Sequence, residues 1–493
     1  PPALTAQMTL LGGGQPVPSA WQESQIRAIV HAALCAGVRG LCFESHSRLD
    51  GNDPQTRRRS AILELLNLEL DLIERWPAAG SFAPSATTND RHVSAAVIET
   101  DRSRLLLPIF WPPQSQLVMG TTSVKALVIT AVGVPEGDNA YELSPTSFRP
   151  LPSKRVPGGT QVTLSAAERD SLIVFTQDQV VIKSISERLA KTRKSAAQLS
   201  RAVAKAELHE VDATERRLTE VGRAVEATRP LRAKAEKSLE ECETLLGKND
   251  LVTAYYRARQ ALQSMRNIER AHWAFAVPVT DSPLEDPFTA HFSTLPQHYR
   301  FAHEMTKAPR GADRLPAGDI EDLDAMLRAG WKYYEHRQTG ITTTVDLSPQ
   351  AAHSGRMGLR LRAVPADPEH KPALIETPPL WITTAPVNVE SGQLLQIQGW
   401  LRITQPITGS VDGLLVIDSL SGEAMALRVA KAENWRQFTM YRAAGRLGSM
   451  TITFAMSGLG EAWIDDVTIQ VVQRGGPTQQ AQQTRLPGVR AGP

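Results

Sequence analysis

Gln393-Leu-Leu-Gln-Ile-Gln-Gly-Trp-Leu-Arg-Ile403 is the stretch that decides the fold of the C-terminal part of the chain. Its apolar residues alternate with polar ones, as in a β-strand that buries one face. Similar runs recur between Arg314 and Val472 and are separated by clusters of Pro, Gly, Ser, Asn and Asp. The predicted strands are residues 342–347, 357–363, 393–403, 413–418, 424–429, 437–442, 450–456 and 463–471. This spacing is typical of a β-sandwich, and about eight or nine strands predict a jelly roll.

Short motifs in the same stretch occur in a distinctive order. They are Gly318-Asp-Ile-Glu321, Gly330-Trp331, Ser354-Gly355, Leu359-Arg-Leu361, Gly399-Trp-Leu-Arg402, Asn434-Trp-Arg-Gln-Phe438 and Ile464-Asp-Asp-Val467. In this order they resemble the carbohydrate-binding modules of the jelly-roll, galactose-binding-like type that are appended to glycoside hydrolases. The resemblance implies that the first and last strands are neighbours and that the module holds a glycan. It also implies a secreted or otherwise extracytoplasmic protein.

Acidic residues near both ends of the stretch match positions through which that family often binds calcium. On the resemblance these positions are Asp319, Glu321 and Asp466. Calcium prefers several hard oxygen ligands, and carboxylates from two distant segments can close such a site. The same acids are explained equally well as turn and strand-edge residues without a metal. A structural Ca²⁺ is therefore one of two open interpretations.

Aromatic side chains are the candidates for glycan contacts, because a flat apolar ring beside polar groups suits a sugar. We predict Trp381, Trp463 and Tyr441 as carbohydrate-binding residues. Trp400 and Trp435 match positions that the family tends to use for packing, so the resemblance places both in the core. A contact with another domain would explain an exposed ring equally well.

Length and composition limit the remaining possibilities. The chain has 493 residues and a net charge of +2, which predicts about three or four domains and no field that attracts nucleic acid or a membrane surface. Cys35, Cys42 and Cys242 are too scattered for a disulfide framework or a zinc site. No apolar run in the sequence is long enough to predict a membrane span.

Residues 1–80 contain a predicted helix at 22–35, a strand at 37–43 and a second helix at 54–76, which together predict an α/β unit. Ala36-Gly-Val-Arg-Gly-Leu-Cys-Phe43, followed by Ser47-Arg-Leu49, resembles the last strand and loop of barrel glycoside hydrolases. That resemblance implies a remnant of a (β/α)8 barrel, with Glu44 at the strand end where such enzymes place functional groups. Glycoside hydrolysis ordinarily needs two carboxyl groups. Glu44 is therefore a weak catalytic candidate, and we expect no glycosidase turnover from this chain.

Periodicity divides the other residues into regions. Alternating runs in 81–177 predict a small β-sandwich, and apolar stripes in 178–275 predict an antiparallel helical bundle. Residues 276–313 are a Pro-rich connector that is expected to pack on a neighbour, and the composition of 474–493 predicts a disordered tail. A basic run at 191–205 favours a solvated helix face, with an anionic partner as the alternative. The helical bundle also offers a surface for a protein partner.

The sequence thus predicts a multidomain α+β chain with a partial β/α-barrel remnant, a β-sandwich, a helical bundle and a C-terminal β jelly roll at 314–473. We expect it to be the non-catalytic, polysaccharide-binding portion of a glycoside hydrolase-like protein. The first alternative is a structural or assembly protein that uses the β-sandwich and the helices for protein–protein contacts. The second is the C-terminal part of an active glycosidase whose catalytic strands precede residue 1.

Overall fold

The computed structural model describes residues 2–14, 22–43, 48–90, 93–110, 124–167, 171–276, 285–410 and 412–474. These residues form α-helices and antiparallel β-sheets, with sandwich-like sheet regions before and after a helical region. The predicted mixture of helix and antiparallel sheet is confirmed at this level. Among the described helices, none is both long enough and apolar enough to cross a membrane.

The N-terminal region is helical. Its helices are α1 Pro2–Leu11, α2 Glu23–Cys35, α3 Pro54–Ile73 and α4 Arg75–Ala79. Helix α3 begins where the Asp53 side chain accepts a hydrogen bond from the backbone N–H of Thr56 (2.9 Å) and Pro54 occupies the first turn. Both are strong signals of a helix start. Ile62 and Leu65 of α3 are buried against the later helical region, so these helices pack as part of it.

Residues 37–43 do not form the predicted strand. Helix α2 ends at Cys35, Gly37 has a left-handed φ of 90°, and Val38 and Phe43 are exposed. A buried barrel strand needs neighbours that satisfy its backbone N–H and C=O groups. No strand in the described part of the chain pairs with this segment, so the predicted barrel strand was wrong. Glu44 lies outside the described residues.

Residues 81–176 include an antiparallel sheet that folds over on itself. Its strands are β1 Ser81–Thr88, β2 Val93–Thr100, β3 Ser103–Phe110, β4 Val124–Ala131, β5 Asn139–Ser144, β6 Ser147–Leu151, β7 Ser153–Val156, β8 Gly159–Ala167 and β9 Leu172–Thr176. They are ordered β6-β5-β9-β3-β2-β1-β4-β8-β7. One face encloses a core that includes Val97 and Ile129. The opposite face packs Leu105 and Val174 against Val30 of α2, which joins the sheet to the helices.

The helical region contains α5 Gln179–Glu220, α6 Arg229–Gly247 and α7 Leu251–Ala276. The side chain of Asp178 caps α5 by accepting hydrogen bonds from two backbone N–H groups of its first turn. Pro230 lies in the first turn of α6, and Asn249 turns the chain before α7 with a φ of 58°. Leu239 and Leu262 share one core with residues of α5. The three helices of this region are thus separated before Pro230 and at the turn from Gly247 to Asp250.

Charged side chains are buried where α2, α3 and α7 meet. Arg27 bonds both Glu23 (2.9 Å) and Glu69, and Arg259 of α7 also bonds Glu23 (2.9 Å). His31 Nε2 lies 2.8 Å from Glu69 Oε1. Buried charges are tolerated when they are paired and hydrogen-bonded in this way. The network fixes the N-terminal helices against α7.

The network continues to a pair of carboxyl groups, Glu207 of α5 and Glu269 of α7. Arg58 bonds Glu207, and Gln22 Nε2 donates to Glu269 Oε2 at 2.7 Å. Burial, together with the adjacent Glu207, raises the pKa of Glu269 well above its ordinary value. Two neighbouring buried carboxyl groups cannot both remain charged at low cost. Burial beside Glu207 therefore favours the protonated form of Glu269.

The C-terminal region is a two-sheet sandwich preceded by α8 Leu295–Lys307. Its elements are β10 Arg310–Asp313, α9 Leu323–Ala329, β11 Lys332–Glu335, β12 Ile341–Ser348, β13 Gly358–Pro365, β14 Leu380–Thr383, β15 Val387–Val389, β16 Leu394–Ile403, β17 Leu414–Asp418, β18 Leu427–Val429, β19 Ala432–Ala443, β20 Gly448–Met450, β21 Ile452–Met456 and β22 Gly460–Val472. The larger sheet has the order β12-β13-β22-β16-β19, with β10 also on β22, and the smaller has β11-β14-β21-β17-β18. Leu361, Ile464 and Phe454 meet in the core between them.

The N-terminal helix packs on this C-terminal sandwich. Leu4 and Met8 of α1 are buried beside Phe301 of α8. The side chain of Gln7 donates a hydrogen bond to the carbonyl of Ala443 (3.0 Å) and accepts one from its N–H (2.8 Å). Because an unpaired buried amide is costly, this reciprocal pair fixes the position of α1 along β19.

Replacement of Glu269 by Gln should reduce the dependence of stability on pH. A carboxyl group whose folded-state pKa is raised contributes fully below its ordinary pKa of 4.5, and that contribution is lost as pH rises toward the raised value. Its loss amounts to at most about 1.4 kcal/mol per pH unit. Gln does not titrate. The free energy of unfolding of Glu269→Gln, relative to that of the parent protein, should therefore increase as pH rises. Urea unfolding followed by circular dichroism at several pH values measures this.

Glu243→Gln is the control on the exposed surface of α6. Lys205 and Arg201 lower the pKa of Glu243, so its contribution is present above its ordinary pKa and is lost as pH falls. The stability difference between this variant and the parent should therefore have the opposite sign and be small, because the pairs are exposed. Equal pH slopes for Glu269→Gln and the parent would contradict a protonated Glu269.

Candidate functional site

The outer face of the larger sheet carries three half-buried tryptophans, Trp400, Trp435 and Trp463. We call this surface the tryptophan face. In β16 Leu401 points into the core, whereas Trp400 and Arg402 point outward, because successive strand residues face opposite sides. The prediction that Trp400 and Trp435 lie in the core was therefore wrong. Trp463 of β22 lies on the same outer face.

The rings of this face contact one another. The imidazole of His353 stacks on Trp400, with centroids 4.0 Å apart and planes at 15°. It meets Trp435 edge-on at 5.3 Å, and Trp435 approaches Trp463 at 6.4 Å. Aromatic pairs at such separations add stability beyond the area that they bury. The result is a strip of rings that crosses β16, β19 and β22.

Trp463 lies between two arginines in one cross-strand row. Arg360 of β13 and Arg402 of β16 are its direct partners in the sheet register. The Arg402 guanidinium lies 5.1 Å from the centre of the Trp463 ring, within cation–π range. Arg360 forms a bidentate pair with Asp346 (2.8 and 2.6 Å). Trp463 Nε1 donates to Glu461 (2.5 Å), so an apolar ring is surrounded by polar groups.

A loop that carries His353 is held against the face by two consecutive acids of β22. Asp465 is buried and accepts hydrogen bonds from the N–H groups of His353 (2.7 Å), Ser354 (3.1 Å) and Asp466 (2.8 Å). Burial raises the pKa of Asp465, and these donors act in the opposite direction. Asp466 has a left-handed φ of 51° and its Oδ2 lies 2.7 Å from His353 Nδ1. The Asp-Asp motif thus positions a ring.

The predicted calcium ligands meet only in part. Glu321 accepts a hydrogen bond from the N–H of Arg356 (2.8 Å), and Asp466 bonds the Ser354 hydroxyl (2.8 Å) of the same loop. Asp319, by contrast, is exposed. No group of three or more His, Cys, Asp or Glu side chains in the described residues is arranged to hold a metal ion. Glu321 and Asp466 thus bond the same loop from two separate segments of the chain.

Tyr441, a predicted glycan contact, lies under α8 at one end of the larger sheet. Its ring meets Phe301 edge-on, with centroids 5.1 Å apart. Burial raises its pKa, and Gln396 Nε2 donates to its hydroxyl at 3.4 Å. Tyr441 is therefore part of a packed contact between regions of the chain, which covers that end of the face.

Trp381, another predicted contact, lies on the outer face of the smaller sheet. Its ring lies 4.5 Å from that of Tyr334, which is half exposed. On its other side Trp381 packs with the buried Leu415 and Ala455. Much of the Trp381 surface is thus already in contact with neighbouring side chains, and Trp381 is remote in sheet register from Trp463.

Sequence reasoning missed His353, Arg360, Arg402 and Tyr334. The alternation in β13 and β16 was a usable signal for both arginines, because each stands two residues from another outward side chain. His353 reaches the face through contacts with Asp465 and Asp466 more than a hundred residues away. No local pattern marks such a residue.

Comparisons with known proteins give neighbours in structure alone. No family model matches the chain, and no curated protein matches it. A CBM4 structure matches with 14% identity and a TM-score of 0.24, over 32% of this chain and 99% of that one. The TmCBM61 complex with β-1,4-galactotriose matches with 10% identity and a TM-score of 0.22, over 32% and 98%. The enzymatically active domain of tailspike protein 4 from bacteriophage CBA120 matches with 12% identity and a TM-score of 0.23, over 32% and 21%.

Asp465→Ala should release the His353 loop. The change leaves three backbone N–H groups without their acceptor, which we expect to lower the free energy of unfolding by about 3 kcal/mol. Tryptophan fluorescence should also change, because His353 no longer stacks on Trp400. Asp319→Ala is the matched control and should stay within about 0.5 kcal/mol of the parent, as exposed positions do. Equal effects of the two variants would contradict the role of Asp465.

Proposed function

We propose that this chain binds a carbohydrate on the tryptophan face of its C-terminal sandwich and is a non-catalytic portion of a glycoside hydrolase-like protein. The observation that carries the proposal is the position of Trp463, an outward indole between Arg360 and Arg402 in one row of the sheet. The C–H face of a sugar ring packs on a flat aromatic ring, while its hydroxyl groups need donors and acceptors at the edge. The cross-strand row of Arg360, Trp463 and Arg402 offers both an aromatic ring and hydrogen-bonding groups.

The side chains around Trp463 include both apolar and polar groups that suit a sugar. Trp463 and Trp435 offer apolar surface, and Gln398 offers an amide on the adjacent part of β16, where it donates to Thr439 (3.0 Å). Arg362 lies 3.5 Å from Glu461 and is exposed. These groups are fixed by strands rather than by mobile loops, so little ordering is needed when a ligand binds.

The covered end of the sheet supports the same choice of face. Helix α8 and the residues before it pack on Tyr441, and Arg436 bonds Glu285 (3.2 Å) at the side of β19. The Trp463 end has no such cover from the described residues. An extended glycan could therefore lie across β13, β22 and β16 and end at α8.

Calcium binding is a second proposal for the same sandwich. Glu321 and Asp466 both bond the loop at 353–356. Gly355 in this loop has a φ of 64°, and it lets Glu321 approach so closely that a side chain at this position would collide with it. A bound ion would strengthen this loop. It would not take part in contacts with the sugar.

Calcium at about a hundredfold excess over its dissociation constant should raise the stability of the sandwich by about 2.7 kcal/mol. The measurement is the melting temperature in calcium and in chelator. Glu321→Gln should abolish the difference, whereas Asp319→Asn should reduce it less. An unchanged melting temperature for the parent protein would rule out the ion.

Trp463→Ala should weaken glycan binding about three- to tenfold, because stacking on one ring contributes about 0.5–1.5 kcal/mol. Trp381→Ala, on the smaller sheet, is the matched control and should leave affinity unchanged. A glycan array identifies a ligand first, and calorimetry with that ligand measures both variants beside their melting temperatures.

Two outcomes would contradict the proposal. Loss of affinity in Trp381→Ala with full affinity in Trp463→Ala would move the site to the smaller sheet. Absence of any glycan binding by the folded parent protein would favour the alternative of a structural protein that uses these surfaces for protein contacts.

A further inference from the structure

The arginines of the tryptophan face differ in their partners. Arg360 is neutralised by Asp346 in a bidentate pair, and Arg362 by Glu461 (3.5 Å). Arg402 differs, because its one hydrogen bond to another residue goes from Nε to the carbonyl of Glu433 (3.0 Å). No carboxylate of the described residues pairs with it. The face therefore presents one uncompensated guanidinium.

The surroundings hold Arg402 in a defined orientation. Its Nε donates to the Glu433 carbonyl, and its guanidinium carbon lies 5.1 Å from the centre of the Trp463 ring. These two contacts leave the terminal nitrogens of Arg402 without a hydrogen-bond acceptor among the described residues. A guanidinium whose fork is positioned in this way binds a carboxylate or sulfate oxygen pair in bidentate geometry. The nearest acids do not compete, because Glu433 pairs with Lys431 and Glu461 with Trp463 and Arg362.

We infer that the ligand of the tryptophan face is an acidic polysaccharide, whose anionic group binds Arg402 while a sugar ring packs on Trp463. This inference rests on the proposed function and adds the class of its substrate. The anionic group is a carboxylate or a sulfate, since both present paired oxygens to a guanidinium. A neutral glycan would leave Arg402 with no partner beyond water.

The test uses matched polymers that differ in charge alone. Polygalacturonate is compared with its methyl ester, and dextran sulfate with dextran, by calorimetry on the full chain. The parent protein should bind at least one anionic polymer about tenfold more tightly than its neutral counterpart, and the difference should shrink as salt rises. The pair that shows the difference distinguishes carboxylate from sulfate.

Variants then assign the effect to one side chain. Arg402→Gln should remove most of the preference for the anionic polymer, so that its affinities for the anionic and the neutral polymer differ by less than about twofold. Arg402→Lys keeps the positive charge but lacks the paired terminal nitrogens of the guanidinium. It should retain only part of the preference for the anionic polymer. Arg337→Gln removes an equal charge from an exposed position elsewhere on the sandwich and should change nothing.

The outcomes separate this inference from the proposed function. Suppose that the parent protein binds anionic and neutral polymers equally and that Trp463→Ala loses this binding. That result would overturn the inference of an acidic substrate and leave the proposal of carbohydrate binding in place. A preference that survives Arg402→Gln, or that Arg337→Gln reduces equally, would show a general charge effect and also overturn it. Binding of no polymer, with the chain folded, would overturn both.

Discussion

The C-terminal sandwich depends on strand β22, which pairs with β13 on one side and with β16 on the other. This double pairing fixes which residues face outward, because a slip of one residue would turn Trp463 inward and Ile464 outward. The left-handed Asp466 interrupts the alternation once and lets Asp465 reach backbone donors of another loop. The strip of rings, the row of arginines and the loop of His353 all follow from the register of this strand.

Part of the structure could be predicted from local pattern. Strands β16 and β22 were predicted within three residues of their observed ends, since half-buried strands alternate clearly. Strand β11 was missed because Lys332-Tyr-Tyr-Glu335 is exposed throughout and carries no alternation. Trp400 and Trp435 were assigned to the core because a resemblance was given more weight than the alternation of their own strands. The pattern was the better guide to the candidate site.

Other features depend on residues far apart and could not be derived from any window of sequence. The helices at 23–35 and 54–73 suggested a barrel unit, yet they pack on α5 and α7 through paired charges such as Arg58 with Glu207 and Glu23 with Arg259. A sequence shows that these side chains can be charged and does not show that they are buried together. The same is true of Glu207 and Glu269, because the raised pKa of Glu269 depends on α5 and α7 coming into contact.

The contact between Gln7 and Ala443 spans 436 residues of chain. An isolated helix of ten residues such as α1 is only marginally stable in water. Helix α1 therefore becomes stable only when it packs on β19. During synthesis from the N-terminus, Leu4 and Met8 leave the ribosome long before the sandwich that buries them exists. The apolar side chains of α1 therefore lack this cover until β19 has been made, and they can form wrong contacts during that interval.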